Sequence, residues 1–253
     1  MSEHVRVQKA DAVLAITLAR PERRNAITVA MYAALADAIE SAADDASVRV
    51  ITITGDGPDF AAGNDLADFL AADQRDGSEI PVWRLLRALA TCETPIVAAV
   101  HGNCVGIGTT MLLHCDLVVA DETARFSLPF VDLGLVPEAA SSLLLPRLAG
   151  RRDAARYLLL CEPFDAAEAR AIGLVSHVVP AGAAAAGMEQ VVAGLLAKPA
   201  DALRRTQHLL RHGARDEVLA RMRLEGDEFA ERLASDEVKT AIAAFFAKKK
   251  PAA

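Results

Sequence analysis

The chain has 253 residues, of which 53% are hydrophobic, 24% charged and only 4% aromatic, enough apolar material for one large core or two modest ones. This composition excludes a disordered or fibrous protein, and no stretch approaches the roughly 20 apolar residues of a membrane span. The net charge of -7 argues against nucleic-acid binding, which needs a basic surface. The opening segment resembles neither a secretory signal nor a transit peptide, which predicts a cytoplasmic protein.

The first two thirds of the chain alternate between strand and helix patterns. Apolar and polar residues alternate over residues 12–18 and 48–54, which predicts strands, and a helical apolar stripe lies between them over residues 28–43. Residues 96–100 and 117–120 are short, wholly apolar runs, typical of strands buried on both faces. The pattern predicts an α/β fold with largely parallel strands.

The remainder of the chain is predicted to be mostly helical. A loop-rich stretch over residues 128–137 leads into helices at about 138–149 and 151–160. Asp165 and Glu168 form a capping-box pattern that starts a short helix, which Gly173 can end. From about residue 181 onward we expect helices with breaks near Pro199 and Gly213. We therefore divide the chain into a core region, 1–198, and a C-terminal helical region, 199–253.

Two loops rich in small residues follow predicted strands. They span residues 55–66 and 101–108, and the second opens an apolar helix. Small residues let backbone N–H groups approach a ligand, and two converging N–H donors can form an oxyanion hole. The alternative is that the small residues serve the packing of the turns alone. Neither loop matches a phosphate-binding signature.

Cysteine and histidine give no indication of a metal or redox site. The four cysteines, Cys92, Cys104, Cys115 and Cys161, are scattered and are interpreted as small buried residues. His208 and His212 are four residues apart, but no nearby acid completes a zinc-binding pattern, so a solvated helix face is favoured.

Several short motifs together resemble one known family, the crotonase (enoyl-CoA hydratase/isomerase) superfamily. They occur in the family's order along essentially the whole chain: Arg20 to Ile27, Phe60 to Leu66, Val100 to Gly108 with Cys115 and Asp116, and Ala171 to Val175. The resemblance implies a spiral of β-β-α turns, a helical C-terminal region that forms trimers or dimers of trimers, and acyl-CoA thioesters as ligands. It also implies that the backbone N–H groups of Asn64 and Ile107 polarise the thioester carbonyl.

The resemblance also bears on the catalytic acid. Hydratases of the superfamily use two glutamates, and the corresponding positions here are Thr110 and Phe130, neither of which is a carboxylate. Glu138 lies where the peroxisomal-type Δ3,Δ2-enoyl-CoA isomerases carry their glutamate. An apolar setting would raise its pKa and make it a stronger base. The alternative interpretation is an acid in the first turn of a helix, favoured by the helix dipole.

Other residues are expected to contact the substrate. By resemblance, Arg23 and Arg24 meet the CoA phosphates, with Arg24 slightly favoured. The resemblance also implies a lining for the CoA and acyl site, formed by Ala26, Ala62, Asp65, Leu66, Phe130 and Leu135. Asp65 and Asp68 are expected to brace the turn after the oxyanion segment rather than react, and Asp132 to serve loop structure.

Two further expectations concern the edges of the site. Residues 73–80 are expected to form a mobile loop near the acyl end. Phe245, Phe246, Lys248 and Lys249 are either a cover for the adenine end or a solvated helix terminus.

The sequence thus predicts an enzyme that shifts a double bond from C3 to C2 of an enoyl-CoA, with Glu138 as the single proton shuttle. No metal or other cofactor is expected, because CoA is part of the substrate. The alternatives are a hydratase, a thioester hydrolase or a catalytically silent acyl-CoA-binding paralogue.

Overall fold

The computed structural model describes residues 2–71 and 80–249, leaving aside the side chains of residues 69–71, 245, 246, 248 and 249. Two expectations fall outside this description. One is the loop at residues 73–80, of which only Ile80 is described, and the other concerns the side chains of Phe245, Phe246, Lys248 and Lys249. In the described part, no helix is both long and apolar enough to cross a membrane.

Two sheets lie at the centre of the fold. The strands are β1 Val5–Ala10, β2 Val13–Leu18, β3 Val50–Gly55, β4 Ile96–Val100, β5 Asn103–Val105, β6 Leu117–Asp121, β7 Arg125–Ser127, β8 Phe164–Asp165 and β9 His177–Val179. The six-stranded sheet has the order β1-β2-β3-β4-β6-β9, and its pairs are parallel except for β1 with β2. The small sheet has the order β5-β7-β8. The predicted α/β class and parallel pairing are confirmed.

Helices cover the large sheet and build the C-terminal part. They are α1 Val29–Ala43, α2 Leu66–Ala71, α3 Pro81–Thr91, α4 Ile107–Thr110, α5 Ser141–Leu159, α6 Ala166–Ala171, α7 Ala184–Leu196, α8 Ala200–His212, α9 Arg215–Leu233 and α10 Asp236–Lys249. Short 3-10 helices span Pro21–Arg23, Met111–His114 and Val131–Leu133.

Local sequence signals explain several of these boundaries. Thr28 caps α1, accepting a hydrogen bond from the Met31 N–H at 3.2 Å. The predicted capping box of Asp165 and Glu168 starts α6. The break predicted between two helices near residue 150 is a kink at Gly150 inside α5.

The start of α5 corrects a sequence prediction. We predicted a helix from about residue 138, but α5 begins at Ser141, after two residues with left-handed backbone conformation. Glu138 therefore lies outside the helix, and its interpretation as a first-turn helix acid is wrong. The periodicity of the sequence does not reveal the turn at Ala139 and Ala140 that separates Glu138 from α5.

The C-terminal helices share the main hydrophobic core. Val218, Met222 and Phe229 of α9 and Val238 and Ile242 of α10 are buried in the same cluster as α1 and the strands. The division at residue 198 stays a prediction, since the core runs across it.

Candidate active site

Hydrogen bonds join the two loops that follow β3 and β4. The Ala61 N–H donates to the Asn103 carbonyl at 3.1 Å, and the Val105 N–H donates to the Ala61 carbonyl at 2.9 Å. A Cβ atom on Gly63 would lie only 3.1 Å from the Val105 carbonyl oxygen. The small residues thus permit a close approach, which brings the segments around Asn64 and Ile107 to the same edge of the sheet.

The amides of Asn64 and Ile107 are available as donors. Within the described ranges 2–71 and 80–249, neither N–H donates to a protein acceptor. Ile107 is the first residue of α4, and the first N–H groups of a helix have no acceptor inside it. The adjacent Gly106 and Asp65 amides are engaged, donating to the Ser127 and Ile27 carbonyls, both at 2.9 Å.

Both residues border one cavity of about 640 Å³. Its wall includes the residues predicted for the oxyanion hole and for the CoA and acyl site: Arg23, Arg24, Ala26, Ala62, Asn64, Asp65, Leu66, Ile107, Phe130 and Leu135. Asp132, which we expected to serve loop structure, also lines it, and Phe229, Ala241 and Ala244 contribute from α9 and α10. The C-terminal helices therefore complete a wall of the chain's own cavity, through three residues that were not among the predicted contacts.

Glu138 lies outside the set of residues that line this cavity. Its side chain is buried, with 5% exposed, and Oε1 accepts a hydrogen bond from the Thr110 hydroxyl. Thr110 ends α4, the short helix that begins with Ile107. The Glu138 carboxyl group is thus hydrogen-bonded to α4, the helix whose first residue, Ile107, presents one of the two available amides.

The other carboxyl oxygen of Glu138, Oε2, is buried without a hydrogen-bond partner in the described chain. Burial raises the pKa of Glu138 to about 8, which the Thr110 hydrogen bond opposes and the negative charge of Glu225 reinforces. The predicted direction of the pKa shift is confirmed. An unpartnered carboxyl oxygen with a raised pKa has the properties of a general base for use near neutral pH.

Tyr32 is bonded to the first loop and lies within electrostatic range of Glu138. Its buried hydroxyl donates to the Asn64 side-chain oxygen, Oδ1. Burial, and then the nearby charge of Glu138, raise the pKa of Tyr32 well above its ordinary value. Glu138 is thus hydrogen-bonded to α4 through Thr110 and interacts electrostatically with Tyr32, the hydrogen-bond donor to the Asn64 side chain.

The acidic residues after Asn64 brace the loop. Asp65 accepts a hydrogen bond from Arg20 at 2.7 Å, and Asp68 accepts one from the Val29 N–H at the start of α1 at 2.6 Å. Burial raises the pKa of Asp65, but the Arg20 hydrogen bond opposes burial and the pKa is lowered overall. The structural role predicted for the pair is consistent with these contacts.

The two candidate phosphate-binding arginines lie at the rim of the cavity. Arg23 and Arg24 are exposed, and the Nε atom of Arg24 lies 3.7 Å from the Oδ2 atom of Asp59. Both guanidinium groups are therefore accessible to an anionic ligand, and their CoA-binding role stays a prediction.

The described residues contain no cluster of three or more metal-ligating side chains. Cys92, Cys104 and Cys161 are buried as predicted, whereas Cys115 is only partly buried. Burial raises the pKa of the Cys92, Cys104 and Cys115 thiols, which makes these groups poor nucleophiles at neutral pH.

Residues 8–252 match the family described as enoyl-CoA hydratase/isomerase. The chain belongs to this family. It is 34% identical to the 2,3-dehydroadipyl-CoA hydratase of Escherichia coli (strain K12), over 99% of this chain and 98% of that one. It is 36% identical to the peroxisomal enoyl-CoA delta isomerase 3 of Mus musculus, over 71% of this chain and 58% of that one.

The fold is that of the family as well. A crystal structure of an enoyl-CoA hydratase/isomerase from Pseudoalteromonas atlantica T6c superposes with a TM-score of 0.92 at 41% identity, covering 99% of this chain and 100% of that one. The chain is therefore a crotonase-fold member of a family of acyl-CoA enzymes. Its named relatives include both hydratases and isomerases.

Proposed function

We propose that this family member is an enoyl-CoA isomerase that converts 3-enoyl-CoA to 2-enoyl-CoA. The observation that carries the proposal is the state of Glu138, which is buried, has Oε2 without a partner, and has a pKa raised to about 8. A single carboxyl group suffices for a double-bond shift, because the same group can remove and return the proton.

The proposed reaction has two proton transfers. The Glu138 carboxylate removes the proton from C2, and the C–H electron pair forms the dienolate, whose oxygen accepts hydrogen bonds from the Asn64 and Ile107 amides. The protonated Glu138 then delivers the proton to C4. The electrons of the C3–C4 double bond form the new C4–H bond, the C2–C3 double bond forms, and the thioester carbonyl is restored.

The position of Glu138 sets a condition on this proposal. Because Glu138 is buried and is not among the residues that line the cavity, its Oε2 must reach C2 and C4 when the acyl chain is bound. Catalytic groups often come to working distance only in the complex with substrate, so this geometry is compatible with general base catalysis.

The identity of the other residues favours isomerisation over hydration. At the two positions where the resembled hydratases use glutamates, this chain has Thr110, which donates to Glu138, and Phe130, which lines the cavity. Neither can activate a water molecule as a carboxylate does. The proposed reaction also needs no metal or other cofactor beyond the CoA of its substrate.

We propose that the CoA phosphates bind at Arg23 and Arg24, and that the enzyme works in the cytoplasm as a trimer or a dimer of trimers. The exposed guanidinium groups at the rim of the cavity support the first of these statements.

The test is to incubate purified enzyme with a 3-enoyl-CoA and follow conjugation optically in parallel with Glu138→Gln and Asp132→Asn variants. We expect Glu138→Gln to lower kcat by about 10²-fold to 10⁴-fold, the usual contribution of a general acid or base. Asp132 is the rival carboxylate, because it lines the cavity directly. Loss of turnover in Asp132→Asn with full turnover in Glu138→Gln would contradict the assignment.

The second candidate function is hydration, which the E. coli 2,3-dehydroadipyl-CoA hydratase favours through its 34% identity. It predicts 3-hydroxyacyl-CoA from a 2-enoyl-CoA, whereas hydrolysis would release free CoA. Saturable binding of CoA esters without any product would indicate a silent paralogue.

A further inference from the structure

The turn that carries Glu138 into α5 has an unfavourable backbone conformation. Ala139 and Ala140 both adopt left-handed angles, with φ of 61° and 56°, and both are fully buried. Such angles cost residues other than glycine roughly 1 kcal/mol each. The turn therefore depends on contacts from the surrounding chain to hold its shape.

Glu225 of α9 supplies the main contact. Its carboxylate accepts a hydrogen bond from the Ala140 N–H at 2.6 Å through Oε2 and one from the Ser142 N–H at 2.9 Å through Oε1. The side chain is buried, with 5% exposed. Among the described residues, no side chain adjacent in sequence caps the N-terminus of α5. Glu225, 85 positions from Ala140, accepts hydrogen bonds from that end of the helix instead.

The other side of the turn is held by the core region. His114 Nε2 lies 2.8 Å from the Ala139 carbonyl oxygen, and because a carbonyl only accepts, the imidazole donates. Burial lowers the pKa of His114 to about 4, so the ring is neutral at physiological pH. The Ser141 hydroxyl donates to the Glu138 carbonyl at 2.6 Å.

The titratable groups near Glu138 come from different elements. Glu225 on α9 acts on Glu138 electrostatically, and Arg221, on α9, lowers the pKa of Glu225. Tyr32 on α1 has its pKa raised by burial and by the charge of Glu138, so it is neutral where Glu138 titrates. Burial raises the pKa of Glu225, and the hydrogen bonds from Ser142 and Ala140 oppose this rise without cancelling it. The ionised form of Glu225 raises the pKa of Glu138 beyond the effect of burial.

We propose that Glu225 is a positioning residue that fixes the turn carrying Glu138, through its hydrogen bonds to the Ala140 and Ser142 amides, and maintains a negative charge near the Glu138 carboxyl group. This inference rests on the proposed function, because it assigns Glu225 a role through the proposed base. It also gives the C-terminal helical region a part in proton transfer that is distinct from lining the cavity.

The test compares Glu225→Gln, Glu225→Asp and the control Glu228→Gln, which removes an exposed charge three residues further along the same helix. Two quantities are measured for each protein. The first is kcat and KM for a 3-enoyl-CoA across pH, and the second is the infrared titration of the Glu138 carboxyl group, identified by its absence in Glu138→Gln. The titration needs no turnover.

For Glu225→Gln we expect kcat to fall by about 10²-fold with KM nearly unchanged, since a displaced catalytic group affects the chemical step. The Glu138 titration midpoint should fall by about one pH unit because the neighbouring charge is gone. Glu225→Asp keeps the charge but shortens the side chain, so it should lower kcat without that fall in the midpoint. Glu228→Gln should match the wild type in both measurements.

The outcomes separate the two proposals. Full turnover in Glu138→Gln overturns the proposed function and this inference with it. An inactive Glu138→Gln beside a Glu225→Gln variant with wild-type kcat and titration midpoint overturns only the role of Glu225. If no variant turns over substrate, an unchanged titration midpoint in Glu225→Gln still overturns the inference.

Discussion

A carboxyl group buried as fully as that of Glu138 is an unfavourable feature of a folded chain once it ionises. Transfer of a charged group out of water is costly, and here one hydroxyl, that of Thr110, donates to the carboxyl group. The folded chain therefore holds the Glu138 proton up to about pH 8, whereas the ordinary pKa is 4.5. Between these values the folded state binds more protons than the unfolded state.

This difference predicts a specific effect of pH on stability. The free energy of unfolding of the wild type should fall by about 1.4 kcal/mol per pH unit from this group as pH rises from about 5 to 8. Glu138→Gln lacks the titration, so its stability relative to the wild type should increase over that range and level off above pH 8. Urea unfolding of both proteins at several pH values measures the difference. A constant difference across pH would contradict the raised pKa.

The sequence predicted the residues whose signal lies in their immediate neighbours. Asn64 and Ile107 were identifiable because small-residue loops and family motifs surround them, and both do line the cavity. Glu225 and His114 could not be identified, because their partners Ala140 and Ala139 lie 85 and 25 positions away. In its local sequence Glu225 is an ordinary helix acid, and His114 belongs to an apolar turn. Only the folded chain brings them to the Glu138 turn.

At the scale of elements, strands with a clear pattern were predicted and others were missed. β2, β3, β4 and β6 were found because alternation or a continuous apolar run marks them. β1 was missed because five of its six residues are exposed on the edge of the sheet. The strands β5, β7, β8 and β9 have only two or three residues, too few to show a period.

The close contact between the two loops makes Gly102 sensitive to substitution. A Cβ atom there would lie 2.0 Å from the Pro58 carbonyl oxygen, and the φ of 57° is also unfavourable for alanine. We expect Gly102→Ala to lower the free energy of unfolding by about 3 kcal/mol. Gly106→Ala meets no atom within 4 Å, so its cost is that of the backbone alone; with φ of 54° and ψ of −119°, a combination that favours glycine, we expect about 2 kcal/mol.

The control for this pair is Gly194→Ala inside α7, where a Cβ atom meets nothing and the backbone is helical. It should raise stability by roughly 0.5 to 1 kcal/mol. Thermal or urea unfolding of the three variants gives the order. Equal effects of Gly102→Ala and Gly106→Ala would show that the contact with Pro58 is unimportant.

At the scale of the molecule, the surface of the single chain exposes leucine side chains to solvent. Leu209 and Leu210 are adjacent in α8, with 76% and 73% of each exposed. Exposed apolar patches commonly mark contacts between subunits. We expect these leucines to be buried when the proposed oligomer forms.

Sedimentation equilibrium tests this expectation with a Leu209→Lys and Leu210→Lys double variant. The wild type should sediment as a trimer or hexamer, and the double variant should shift toward monomer because two charges would have to be buried. Gln8→Lys, which adds a charge on the exposed edge strand β1, serves as the control and should keep the wild-type mass. A double variant with unchanged mass would place the contact elsewhere.

Because Ala241 and Ala244 of α10 form part of the cavity wall, the closed shape of the cavity depends on the docking of this helix. Detachment of α10 would remove this side of the cavity and would also expose Val238 and Ile242, which are buried in the main core. Any ligand that fills this pocket therefore favours the docked state of α10, so binding and the attachment of this helix are thermodynamically coupled.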